Sequence, residues 1–302
     1  MGERPAALRL DGADAYAAAM TAAPPAGDYV VIRGRQLDLA RRVNPRLFDP
    51  AYIAQLREEV ANAKPFPHLV VTDWFDPVLL ELVREEFDLY GTKNWRFLVD
   101  DQQRVHRSTS FCGFGPASEI YFNTVNSGWF VDLLSQISGV EDLLPDPQLY
   151  GGGLHETRPG GKFGIHRDFD RHIRHGLDNR MVFMTYLNKD WDPAWGASLE
   201  LWGGEPQHCI RSIPPELGTS VLLLHGPTSF HGHPLPMTAP AGQTRRSVAT
   251  YYYHNRDAVP LRVGRVTTVF LTAHRSRRLR YLVRQLLPPV LVDAIKRIVA
   301  PR

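Results

Sequence analysis

Short apolar or alternating runs recur between residues 149 and 254, separated by Gly, Pro, Asn and Asp: LYGGGLHET, KFGIHRD, MVFMTYL, ASLELW, TSVLLLH and SVATYYYH. Runs of this length, punctuated by turn residues, predict β-strands. Their succession without helical periods between them predicts an antiparallel sandwich or jelly roll, not a βαβ array. The chain ahead of them has a different texture. DPAYIAQLREEVANAK (49–64) predicts a helix led in by Asp49-Pro50. PFPHLVVTDWF (65–75) predicts the strand at which the core begins, and Asp76-Pro77 then leads into a helix over VLLELVREEFDLY (78–90). SGWFVDLLSQISGV (127–140) carries an apolar stripe at helical spacing and a closing Gly139. These helices are expected to support the sheet, so the class is mainly β with helical support (α+β). No repeat at a period of 20–50 residues is present, which favours one β-core over two domains.

The two ends complete this division. Residues 1–64 form an N-terminal extension with a Pro/Ala linker, TAAPPAGDY (21–29), and the helix just described; the core occupies 65–257; basic helices fill 258–302. In the last segment Leu279, Leu282, Val283, Leu286 and Leu287 make one helical stripe. Leu291, Ile295, Ile298 and Val299 make a second after Pro288-Pro289. Such helices either dock on the core or on a second subunit with arginines in solvent, or offer a basic amphipathic surface to an anionic membrane or a carrier partner.

Composition narrows the class. At 302 residues and 43% apolar content the chain buries a sizeable core without staples. Its net charge of +3 is too small to argue for nucleic acid, and none is expected as a partner. The charge is uneven, however: from Leu261 to Arg302 ten Arg or Lys stand against one Asp. The two cysteines, Cys112 and Cys209, cannot build a disulfide framework and suit a reducing compartment. The first twenty residues hold acids and no apolar core of a leader, and no 18-residue uncharged apolar run occurs. A cytoplasmic protein without a membrane span is the expectation. Arginine outnumbers lysine thirty to five, which with abundant Ala and Pro suggests a GC-rich bacterial genome.

The candidate chemistry starts in GIHRDFDRHIRH (164–175), which suits a metal site, a phosphate patch or a solvated loop. If KFGIHRD is a strand running into a loop, His166 and Asp168 point to the same face, roughly 6–7 Å apart, and converge on one ion while Arg167 points away. A further ligand must come from a distant strand. SFHGHPLP (229–236) offers His231 and His233, which share a face if extended. Two histidines and one carboxylate make a facial triad, which leaves three positions of an octahedral ion open, as in non-haem Fe(II) oxygenases. GQTRRSVATYYYH (242–254) adds Arg245 and Ser247 at i, i+2, a guanidinium fork and a hydroxyl for a carboxylate ligand. His155-Glu156 would open a zinc-protease helix only with a second histidine at 159, and that residue is Pro159.

Over residues 65–257 the motifs GGGLHETRPGGKFGIHRDFD, MTYLNKDWDPAWGASLELW, SFHGHP and RRSVATYYYHN resemble, in order and spacing, the prolyl 4-hydroxylase-like branch of the 2-oxoglutarate and Fe(II)-dependent dioxygenases. The resemblance implies a double-stranded β-helix (jelly-roll) core, with Fe(II), 2-oxoglutarate and O2 as cofactors. It implies iron held by His166, Asp168 and His231, with His231 preferred over His233. Arg245 would bind the distal carboxylate of 2-oxoglutarate, with Tyr186 as hydroxyl partner and Ser247 as a further donor. The implied reaction hydroxylates an unactivated C–H and yields succinate and CO2.

Two positions depart from that pattern. Thr157 stands where relatives often have tyrosine, and GASLELW, with Ala197-Ser198, replaces the commoner Gly-Gly-Glu form. Both weaken the case for a prolyl peptide. The expected substrate is a small metabolite or biosynthetic intermediate, with a peptidyl or prolyl substrate as the alternative. Arg171, His172 and His175 are the candidates for substrate choice at the cavity entrance, where they would favour an anionic molecule. A zinc hydrolase on the same triad leaves the Arg245 segment unexplained, and a non-catalytic jelly-roll module leaves the intact ligands unexplained.

Overall fold

The computed structural model describes residues 28–89, 95–108, 113–205, 207–254 and 267–271. The chain divides into two compact units, 1–269 and 270–302. The basic C-terminal helices, their proposed contacts, most of the linker 21–29 and Cys112 lie outside the described residues, while Cys209 is a free, exposed thiol.

The first unit opens with a hairpin of β1 (Tyr29–Ile32) and β2 (Arg35–Asp38). Its two-residue turn, Arg33-Gly34, takes positive φ at both positions, the backbone that matches the twist of a tight hairpin. Helix α1 (Pro50–Asn62) is capped by the Asp49 side chain, which accepts the Ala51 N–H. After β3 (His68–Val71), helix α2 (Pro77–Glu86) starts in the same way, with Asp76 accepting from Val78. The hairpin β4 (Trp95–Val99) and β5 (Arg104–Ser108) follows, then α3 (Pro116–Val125), α4 (Gly128–Ser138) and the short β6 (Leu143–Pro145). Gly139 ends α4 in the left-handed conformation that the closing glycine predicts.

Eight strands then form the core: β7 (Gly153–Thr157), β8 (Phe163–Arg167), β9 (Asp178–Tyr186), β10 (Leu199–Gly203), β11 (His208–Ile213), β12 (Ser220–Leu224), β13 (Phe230–His233) and β14 (Arg245–His254). The larger sheet runs β3-β12-β9-β14-β7-β5-β4, with β6 paired to β14, and the smaller runs β11-β10-β13-β8. All the pairs within them are antiparallel. Consecutive strands from β7 onward mostly alternate between the two sheets, and this exchange is the double-stranded β-helix the motifs imply.

The larger sheet is buried on both faces. On β9, Met181 and Phe183 join the core beneath the helices, while Val182 and Tyr186 join the core inside the jelly roll. On β14, Val248 and Tyr252 face the helices, and Ala249, Tyr251 and Tyr253 face inward. That is why TSVLLLH and SVATYYYH have nearly continuous apolar runs instead of alternating ones. The helix side is sealed by aromatic rings: Phe183 lies 5.6 Å from Trp74 and 5.3 Å from Phe130. Two buried tyrosine hydroxyls are satisfied there, Tyr121 donating to Thr185 and Tyr252 to the Val125 carbonyl.

Residues 28–64 contribute to this same core through Leu37, Val43, Leu47, Leu56 and Val60. Helix α3, the two N-terminal hairpins and β11 are not anticipated by the apolar pattern. β11 shows why, since five of its six residues are exposed and carry no alternation. Helix α3 begins without a capping side chain of its own. The carboxylate of Glu86, buried at the end of α2, accepts the Ala117 and Ser118 N–H groups at 2.9 and 2.8 Å. Gly115 makes room for it, because a Cβ there would collide with that carboxylate.

Glu86→Ala therefore uncaps α3 and strands two buried N–H groups. The expected loss is about 2 kcal/mol, or a fall of roughly 4–8 °C in Tm, read by thermal denaturation, with Glu86→Gln losing less because its amide oxygen still accepts one bond.

Candidate active site

His166 ends β8 one residue before its last position, and His231 lies directly across from it on β13. The pairing depends on Gly232, where a Cβ would come within 2.7 Å of the Gly164 carbonyl oxygen, so that no larger residue lets β13 lie so close to β8. Asp168 follows β8 and turns its carboxylate between the two rings. His166 Nε2 is 3.4 Å from Oδ1 and His231 Nε2 is 3.6 Å from Oδ2. One ligand atom from each residue lies within 4.8 Å of the others, and all three residues are buried.

The backbone sets the tautomers. His166 Nδ1 donates to the Gly164 carbonyl at 2.8 Å and His231 Nδ1 to that of Ser229 at 3.0 Å. Each Nε2 is thereby left as a lone pair aimed at the cluster, the arrangement of metal-binding imidazoles. Burial, followed by the neighbouring His166, lowers the His231 pKa to about 4, so the ring is neutral at pH 7. Burial pushes the Asp168 carboxyl upward, but His166 and His225 beside it prevail and hold it well below the usual carboxylate range. Oδ2 of Asp168 is buried without a hydrogen bond. Two nitrogen lone pairs and a carboxylate packed together as acceptors fit a divalent cation and little else.

Above the triad a cavity opens between the two sheets, walled by side chains of both. Arg245, at the start of β14, is buried in its wall. Its Nε donates to the Ala197 carbonyl at 2.8 Å and a terminal nitrogen to the Tyr186 hydroxyl at 3.0 Å. Its guanidinium carbon stands 4.8 Å from the centre of the Tyr186 ring. Ser247, two residues along, faces the same cavity beside Tyr186 on β9. His233 stands apart from the triad, with Nε2 3.1 Å from the hydroxyl of Thr157, the residue at the position where relatives often carry tyrosine.

The entrance-loop candidates are placed elsewhere. Arg171 is paired with Asp178 at 3.0 Å. His172 is buried against Tyr150, its Nδ1 accepting the Arg174 and His175 N–H groups. None of Arg171, His172 and His175 lines the cavity. Three residues that no motif singles out stand at the site instead. His225, the last residue of TSVLLLH, has Nε2 3.2 Å from Asp168 Oδ2; its one outward signal is a histidine closing an apolar strand. Tyr251 lines the cavity near Asp168, its hydroxyl pKa raised by burial and then by that carboxylate. Arg107 enters from β5.

Residues 152–254 match the family model described as 2OG-Fe(II) oxygenase superfamily. The chain thus contains a 2OG-Fe(II) oxygenase domain, a dioxygenase class that uses Fe(II), 2-oxoglutarate and O2. No curated protein matches the chain. Among solved structures, it is similar to a prolyl-4-hydroxylase from Pseudomonas putida, with TM-score 0.49 and 16% identity over 68% of this chain and 100% of that one. A prolyl hydroxylase of Trichoplax adhaerens, in complex with a hypoxia inducible factor peptide fragment, gives TM-score 0.47 and 13% identity over 67% and 89%. HygX from Streptomyces hygroscopicus, with nickel and 2-oxoglutarate bound, gives 0.42 and 12% over 62% and 82%.

The buried neutral rings predict how the metal-free protein responds to acid. His231 and His233 have pKa values lowered from 6.5 in the fold. Below that pH the unfolded chain binds protons that the folded chain refuses. Stability is therefore fully present above about pH 7 and falls as pH drops, by up to about 1.4 kcal/mol per pH unit for each ring. For His231 the window closes near pH 4. Urea unfolding of metal-free protein between pH 4 and 8 measures the slope, and His233→Gln is expected to make it shallower.

Proposed function

We propose that this protein hydroxylates an unactivated C–H bond of a small metabolite or biosynthetic intermediate, coupling the reaction to conversion of 2-oxoglutarate to succinate and CO2. The observation that carries the reading is the buried cluster of His166, Asp168 and His231 facing the same cavity as Arg245, Tyr186 and Ser247. Iron would be held by Nε2 of His166, Nε2 of His231 and the Asp168 carboxylate. Bound there with 2-oxoglutarate, it supplies the activation of O2 and the oxidising power that no side chain possesses.

The chain's own residues bind and orient. The carbonyls of Gly164 and Ser229 hold the two imidazoles with Nδ1 engaged and Nε2 turned inward. Arg245 grips the distal carboxylate of 2-oxoglutarate with the nitrogens not engaged by Ala197, and the Tyr186 and Ser247 hydroxyls flank it. Two of the Arg245 donors are already fixed to the cavity walls, so little freedom is lost when the ligand arrives. Apolar walls from Val182, Leu199 and Ala249 limit water around the reacting carbon. No helix among the described residues is long and apolar enough to cross a membrane.

Two variants separate the roles. His166→Ala is expected to abolish iron binding and succinate formation together. In Arg245→Gln the 2-oxoglutarate requirement should rise roughly 10- to 100-fold, the worth of a charge-assisted carboxylate contact, with the iron requirement nearly unchanged. Anaerobic Fe(II) titration in the presence of 2-oxoglutarate, followed by the weak visible charge-transfer band, measures both. A His166→Ala protein that kept its iron would sink the ligand assignment.

A further inference from the structure

The cavity holds a second guanidinium that the proposed co-substrate site does not use. Arg107 lies on β5 directly across from His155 on β7, and residues opposite one another in an antiparallel pair share a face. His155 is opposite Ser247 on β14, and Ser247 is opposite Tyr186 on β9. Arg107, His155, Ser247 and Tyr186 therefore form one row across the larger sheet, on the side that lines the cavity. The adjacent His106 and Glu156 also border the cavity, and the Glu156 carboxylate is already paired with Arg158 and Arg246.

Arg107 and Arg245 sit two strands and one pleat step apart, a separation of roughly 12 Å between backbones. They cannot both serve one end of the same small dicarboxylate. The Arg107 guanidinium stands 5.0 Å over the ring of Phe163, and that ring is 4.0 Å from His166. It is half-buried and has no carboxylate partner among the described residues. Its charge reaches across the cavity, helping to depress the pKa of His155 and working against the burial that raises that of Tyr251.

We infer that Arg107 seats an oxyanion of the substrate, a carboxylate or a phosphate, and so selects an anionic molecule. The inference rests on the reading of the preceding subsection. With a divalent ion and the dianion of 2-oxoglutarate in place, the charges of Asp168 and Arg245 are balanced. Arg107 is then left as one uncompensated positive charge in the wall. A half-desolvated guanidinium is stabilised by a coplanar pair of oxygens, and its fork fixes the orientation of whatever carries them. With Phe163 bridging the guanidinium to His166, the oxidised carbon would lie a short distance from that anionic group. Anionic selectivity, which the sequence suggests for the entrance loop, is thereby assigned to β5; the loop's Arg167 and Arg171 are neutralised by Asp170 and Asp178.

The test is an anion titration of metal-free full-length protein, followed by 15N NMR of the arginine Nε–Hε groups. The Arg107 resonance is identified by its loss in Arg107→Gln. Inorganic phosphate in one arm and acetate in the other are expected to shift it saturably, and the ion acting at lower concentration tells phosphate from carboxylate. In Arg107→Lys, which keeps the charge without the fork, saturation of the Phe163 ring signals should need about tenfold more anion. An Arg107 resonance that moves with neither ion, or only in proportion to ionic strength, overturns the inference. So does a shift that saturates with 2-oxoglutarate in Zn(II)-loaded protein, since the guanidinium then belongs to the co-substrate. The Arg245 resonance, titrated with 2-oxoglutarate in that same sample, reports separately on the co-substrate reading.

Discussion

Successive residues of a β-strand face opposite sides of its sheet, and in this protein those sides are a layer of helices and a cavity. The larger sheet has no solvent face at its centre, so every side chain on β9, β12 and β14 belongs to one compartment or the other. The consequence is plainest at Arg245 and Arg246. Arg245 turns into the cavity and is fixed by Tyr186 and Ala197. Arg246 turns outward to Glu156 and Asp88, tying the strand to the helix layer. A slip of one residue in the register of β14 would exchange these roles and bury the wrong charge on each side.

The smaller sheet contributes the triad, and there the constraint is contact between backbones. The cross-strand pair His231 and His166 exists only because Gly232 admits the Gly164 carbonyl beside it. That same carbonyl accepts the Nδ1 proton of His166. One local arrangement thus sets the strand spacing, the tautomer and the direction of a lone pair. Asp168 sits just beyond the strand, free of the ladder, where its carboxylate can turn back between the two rings. Helix α3, capped by Glu86 from α2, supports the opposite side of the larger sheet through the hydroxyl contacts of Tyr121 and Tyr252.

Electrostatics follows from these placements. The segment 167–175 is rich in arginine and histidine, yet Arg167 and Arg171 meet Asp170 and Asp178 there. Among the described residues, two guanidiniums that have no acidic partner, Arg107 and Arg245, line the cavity on the inner face of the larger sheet. Local density of charge in a sequence is a poor guide to where charge acts. What counts is whether a carboxylate lies within reach, and that is settled between strands far apart in the chain.

Much of the site was legible in the residues. The His166-x-Asp168 spacing is local, and a strand's period of two makes it meaningful before any fold is known. The turn residues around each apolar run were enough to indicate an antiparallel β-core, and the capping pairs Asp49-Pro50 and Asp76-Pro77 marked two helix starts. Elements without an apolar period were not legible: β11, whose side chains are mostly exposed, and α3, whose cap comes from another helix. Nor were His225 and Arg107, each an ordinary polar residue until pairing places it beside Asp168 or across from His155. The sequence by itself determined which side chains could bind a metal and where the strands would turn, because those depend on neighbours along the chain. Only the tertiary structure decided that His231, not His233, faces Asp168, and which of the described arginines meet an acid, because both depend on register between strands far apart in the chain.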